Sequence, residues 1–256
     1  GGWIEPEHGA VLHRCPTRLA AFSWRAYGLT QATCQPPDAS DLGEWSLNLC
    51  PVVRFLGDDG GRPGAHRRLE QAHVESSEGG FVAWGSVTEG VDVRIDEGAR
   101  CTDQARTTLA FAALPDGRTC LGLQHVIAAP DRVGYTTTLK SVHLNLPNDL
   151  FNGYRRRLYT ARGEQVLVSP LAQAEIVDLG SPWVNVDGKL GLVALYGGDS
   201  LCVDRAAQRR GGRYQSLFVD EICLQVETTA TQRAPGETLI DAGFAVLSGA
   251  DAAQTA

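Results

Sequence analysis

Short apolar and β-branched runs of five to eight residues, each cut off by Gly, Pro, Asn or Asp, recur along the chain, and helical periodicity is scarce. "HGAVLH" (8–13), "LAAFSWRA" (19–26), "PVVRFL" (51–56), "GFVAWGSVT" (80–88) and "VDVRI" (91–95) open the series. "TLAFAAL" (108–114) and "RTCLGLQHVIAA" (118–129) flank Pro115-Asp116-Gly117, and "WVNV" (183–186) and "KLGLVALY" (189–196) flank Asp187-Gly188. Asp-Gly between two such runs predicts a tight hairpin, because both residues tolerate positive φ. "QSLFVDEICLQVE" (215–227) and "TLIDAGFAVL" (238–247) complete the pattern. Many strands with frequent turns predict an all-β fold, a large antiparallel, supersandwich-like β-sandwich with few or no helices. A propeller would need a repeat of about 40–50 residues, and none is present. We expect one large domain over residues 1–256, with "GDDGGRPGAHRR" (57–68) as an exposed loop or internal boundary.

Charge and motifs narrow the function by exclusion. The 23 basic and 30 acidic residues leave a net charge of -7, which disfavours a nucleic-acid partner. No apolar run approaches the roughly 18–20 residues of a membrane helix, so no membrane partner is expected. Met is absent even at position 1, which reads as a processed product or a fragment of something larger. The compartment stays open, with secretion or a periplasmic location as the expectation. Seven cysteines stand at 15, 34, 50, 101, 120, 202 and 223, with no C-x-x-C pair. Zinc spacing is therefore missing, and no metal or cofactor is expected; the odd count leaves room for one or two disulfides. G-x-S-x-G, the P-loop, the dinucleotide fingerprint and H-E-x-x-H are all lacking.

The segment "LPNDLFNGYRRRLY" (146–159) poses the sharpest question. On a strand, Tyr154, Arg156 and Leu158 share one face, and Arg155, Arg157 and Tyr159 share the other. A sandwich buries one face, so a guanidinium is driven inward and needs a partner or a route to water. Either this is an edge strand whose arginines pair with acids such as Asp149 or Glu175, or it lines a groove whose guanidinium forks grip carboxylates or sulfates. Asn148 and Asn152 read first as turn formers, with sugar binding as the other option. Trp24, in "AFSWRAYG", is either core or a stacking platform, and Trp3, Trp45, Trp84 and Trp183 pose the same choice. His125 and His143 lie near the ends of successive strands and would approach the arginines if those strands paired.

Taken with "PPDASDLGEWSLNL" (36–49) and "SPWVNVDGKLGLV" (181–193), the segments 8–28, 111–123 and 146–159 resemble the β-sandwich portion of heparinase II/III-like polysaccharide lyases and related carbohydrate-active enzymes. That resemblance implies a polysaccharide or oligosaccharide ligand and a helical toroid domain, in the same protein or a companion chain, that shares the cleft. It implies β-elimination on an acidic glycan, with a Tyr and a His as acid and base and an Asn or Arg neutralising the uronate. No family motif maps residue by residue, so the candidates rest on their chemistry: Tyr154, His125 and His143 for catalysis, and Arg155, Arg156, Arg157, Asn148, Asn152 and Trp24 for binding. A non-catalytic carbohydrate-binding or interaction sandwich is the alternative, and a glycosidase using carboxylates such as Asp149 and Asp187 is a third.

Overall fold

The computed structural model describes residues 1–25, 31–37, 46–57, 63–95, 98–148, 152–205 and 218–256. Its strands are β1 (Gly2–Glu5), β2 (Ala10–Arg14), β3 (Leu19–Ser23), β4 (Ala32–Gln35), β5 (Ser46–Asn48), β6 (Val52–Phe55), β7 (Pro63–Ser77), β8 (Gly80–Ile95), β9 (Gly98–Ala113), β10 (Thr119–Ala128) and β11 (Gly134–Lys140). They continue as β12 (His143–Asn148), β13 (Arg155–Thr160), β14 (Gly163–Val168), β15 (Glu175–Asp178), β16 (Trp183–Val186), β17 (Leu190–Tyr196), β18 (Cys202–Arg205), β19 (Phe218–Cys223), β20 (Val226–Glu227), β21 (Thr231–Arg233) and β22 (Thr238–Ser248). One short helix, α1 (Ala252–Thr255), follows, started by an Asp251 capping box. The all-β class is as the sequence predicts.

Two nine-stranded antiparallel sheets face each other. The first runs β1-β2-β3-β4-β5-β12-β19-β18-β15 and the second β14-β13-β16-β17-β22-β10-β9-β8-β7. A small sheet of β20, β11, β21 and β6 accompanies them. Alternation sets each inner face: on β10, Cys120, Gly122, Gln124, Val126 and Ala128 point inward, and Leu123 and His125 outward. The sheets meet through aromatic rings. Phe22 of β3 stacks near Phe111 of β9 at 6.1 Å, and Trp24 meets Phe22 edge-on at 4.9 Å. Buried Gln124 ties the layers, donating to Leu49 O at 2.6 Å and accepting from Val142 N at 3.0 Å.

Two sequence expectations change in detail. Residues 80–88 and 91–95 are one 16-residue strand, β8, because Glu89 and Gly90 form an irregularity within the ladder rather than a turn. The stretch 57–68 is a loop only in part: β7 already starts at Pro63, and residues 58–62 lie outside the described residues.

Candidate functional site

The structure separates the residues singled out from sequence. Strand β13 alternates as expected, with Arg155 and Arg157 exposed and Arg156 buried to 1% exposure. The Arg156 fork is fully used: Nε and Nη2 donate to Pro147 O at 3.0 and 2.8 Å, and Nη1 donates to Asp187 at 2.8 Å. Asp187 also accepts from Arg157 N at 2.8 Å. It sits with Gly188 at the apex of the β16–β17 hairpin, both at positive φ, where Lys189 N donates to Val186 O. Arg156 therefore fastens a turn to the end of β12 instead of lining an open groove. Its acid is Asp187; Glu175 pairs with Arg205 at 2.9 Å, and Asp149 lies outside the described residues.

Other candidates are also enclosed. Trp24 is a core residue at 2% exposure, its indole donating to His73 O at 3.1 Å. Asn148 is buried and donates to Ser169 Oγ at 3.0 Å. Asn152 makes an Asx turn, accepting from Tyr154 N at 3.1 Å, and donates to Pro147 O. Tyr154 is half-buried at positive φ just before β13. His143 is buried on β12 against Ser141 O, and burial holds its imidazole below the usual histidine value. Because His125 points out of the second sheet, away from the first sheet that carries His143, the two are not brought together. Trp3 is exposed on the edge strand β1, Trp183 is half-buried, and Trp45 lies outside the described residues.

His125 does belong to a concave site. On the outer face of the second sheet, a groove of about 320 Å³ is lined by Trp84, Ser86, Arg106, Thr108, His125 and Tyr196 among others. The register builds it in two rows. One runs His73, Trp84, Ala110, Leu123, Gly243 and Tyr196 across β7, β8, β9, β10, β22 and β17. The next runs Gln71, Ser86, Thr108, His125 and Asp241. The first row is the apolar floor with an aromatic wall at each end. Trp84 is 36% exposed and stacks on His73 with centroids 5.0 Å apart and planes 14° apart. Tyr196 folds back over Gly243, where an added Cβ would lie 2.3 Å from its ring. Three strand spacings separate β8 from β22, roughly 14 Å.

The second row and its neighbours are polar. Glu70 collects Thr88 Oγ1 at 2.6 Å, Arg106 Nε at 2.6 Å and Ser86 Oγ at 3.3 Å. The Thr88 hydroxyl and then Arg106 hold the Glu70 carboxyl below its usual range. At the far wall, burial and the Asp241 carboxylate push the Tyr196 phenol up. The arrangement offers two ring faces, hydroxyl-sized donors and acceptors between them, and a guanidinium already engaged by a carboxylate. Arg155 and Arg157 share the sheet but not the groove, because α1 packs on the intervening β16 and β17. Trp84 was within reach of sequence reasoning as one tryptophan among several; Tyr196, Asp241 and Glu70 carried no signal until the register aligned them. Among the described residues, no group of three or more His, Cys, Asp or Glu gathers as a metal site.

No family model and no curated protein matches the sequence. Solved structures do match in shape. The GH36 alpha-galactosidase AgaB from Geobacillus stearothermophilus is 9% identical with a TM-score of 0.55, over 98% of this chain and 41% of that one. The galactosidase domain of the alpha-galactosidase-sucrose kinase AgaSK is 9% identical with a TM-score of 0.53, over 98% and 42%. An AgaA variant from Geobacillus stearothermophilus in complex with raffinose is 9% identical with a TM-score of 0.52, over 94% and 41%. This chain thus spans about 41% of the length of these neighbours. At such identities the likeness is one of fold: the chain shares the β-sandwich architecture found within these larger proteins.

Proposed function

We propose that the chain is the β-sandwich part of a carbohydrate-active enzyme and that its outer-face groove holds an oligosaccharide. The observation that carries this reading is the pairing of Trp84, stacked on His73, with Tyr196 across a floor of Ala110, Leu123 and Gly243. Pyranose rings present apolar C–H faces to aromatic rings and hydroxyls at their rims, and the row of Ser86, Thr108, His125 and Asp241 stands where rim hydroxyls would point. The fold shared with alpha-galactosidases supports a glycoside hydrolase as the whole enzyme, with its catalytic domain outside these 256 residues.

Elimination on an acidic glycan is the less favoured chemistry. It needs a cation to neutralise a uronate, and Arg106 in the groove is bound by Glu70 at 2.6 Å. Calorimetric titration of the purified protein with neutral and uronate-containing oligosaccharides tests the proposal. We expect binding of a neutral ligand, weakened about tenfold by Trp84→Ala, the loss of about 1.4 kcal/mol. Equal affinity in wild type and variant, or no binding of any glycan, would refute it; selective binding of the uronate ligand would restore the lyase reading.

A further inference from the structure

The first sheet carries a pair of opposed thiols away from the groove. Reading across it in register, Asp178 of β15 opposes Cys202 of β18, Cys202 opposes Cys223 of β19, Cys223 opposes His143 of β12, and His143 opposes Asn48 of β5. Directly opposed residues of antiparallel strands project from the same face. Their Cα atoms stand roughly 4.5 or 5.5 Å apart depending on the type of pair, and both values lie within the roughly 4.4–6.8 Å that a disulfide spans. The next pair along, Val203 and Ile222, is fully buried on the core side, so the register that places the thiols together is held by packing. Cys202 is half-buried beside the edge strand β15, whereas Cys223 is buried behind it; both are free thiols. A dissolved reagent therefore has a route to Cys202, and Cys223 is placed to resolve what forms there.

We propose that Cys202 and Cys223 form a cross-strand dithiol that closes to a disulfide when the protein meets a small-molecule disulfide oxidant. The Cys202 thiolate attacks one sulfur of the oxidant, forming a mixed disulfide and expelling one small thiolate. The Cys223 thiolate then attacks the Cys202 sulfur, forming the protein disulfide and expelling the second small thiolate. Two protons leave the cysteines and protonate the two expelled thiolates, and the two electrons reside in the reduced reagent. Burial raises both thiols above their ordinary values, so closure speeds up as pH rises. A competing pair exists in Cys34 and Cys120, which interact directly, but both are buried in the core.

The test is to treat the natively folded protein with oxidised glutathione and map its disulfides by mass spectrometry. The expected result is the loss of two hydrogens from the intact mass, a linked peptide pair containing Cys202 and Cys223, full reversal by a dithiol reductant and a raised Tm for the bridged form. Cys223→Ser should stop at glutathione on Cys202. A bridge at Cys34–Cys120 alone, an arrest of the wild-type protein at the mixed disulfide, or no reaction at either thiol would overturn the proposal. Should the serine variant not fold, the wild-type map decides by itself.

Discussion

Arg156 shows how one side chain settles a conflict written into the sequence. Three successive arginines must send at least one toward the core, and the middle one is retained there because Asp187 and Pro147 O take up its donors. Replacing it by Ala leaves the Asp187 carboxylate without its cation and Pro147 O with the Asn152 amide as its remaining side-chain donor. We expect Arg156→Ala to lose about 3 kcal/mol or more of stability, read as a lowered urea midpoint. Arg155→Ala and Arg157→Ala should stay within about 0.5 kcal/mol of wild type, as exposed surface substitutions do. The need for a partner was legible from alternation; the identity of the partner was not. Asp187 is 31 residues away in a different hairpin, and no local rule joins them.

At the level of the strand, the groove is an exercise in register. Tyr196 can lie down only because the residue opposite, on β22, has no side chain, and an irregularity between Ala194 and Tyr196 sets its angle. Gly243→Ala should therefore displace the ring and reduce oligosaccharide affinity several-fold in the same titration, while Tm moves little because the atoms nearest the added methyl are those of the Tyr196 ring, which can swing away. Strand existence was readable in β10, β16 and β17 from alternation and from the Asp-Gly turn. Strand neighbours were not. The two rows join β7–β10 to β17 and β22, far apart in the chain, and pairing over such distances is decided by the whole core. This is why His125 and Trp84 could be singled out from sequence, but not the site that unites them with Asp241 and Tyr196.

For the molecule as a whole, a buried histidine and hydrogen-bonded carboxylates shape the pH response. Burial holds the His143 imidazole below its ordinary value, opposed by the Glu221 carboxylate and aided by the Lys140 charge. The unfolded chain, with the ordinary value of 6.5, takes up that proton first as the solution is acidified. The contribution of His143 is thus complete above pH 6.5 and is lost progressively as pH falls below it toward the depressed folded value. A stability profile by chemical denaturation should slope downward in that window, and His143→Gln should make that slope shallower, leaving the part due to His13, which is also held low. Glu70, held low by Thr88 and Arg106, contributes to a second decline as pH falls from 4.5, together with Asp116, Asp178 and Glu237, which are also held low; Glu70→Gln should reduce it and leave the higher window untouched.

Strand β22 lies between β17 and β10, in the middle of the second sheet, yet it is the most C-terminal of the described strands. Without residues 238–248 the strands of this sheet divide into two sets of four, each with an open inner edge. The groove has no separate existence without it, since Asp241 and the space above Gly243 belong to the same strand. Completion of the sheet and of the binding surface therefore depends on one and the same strand, and a chain lacking it would expose two unpaired borders.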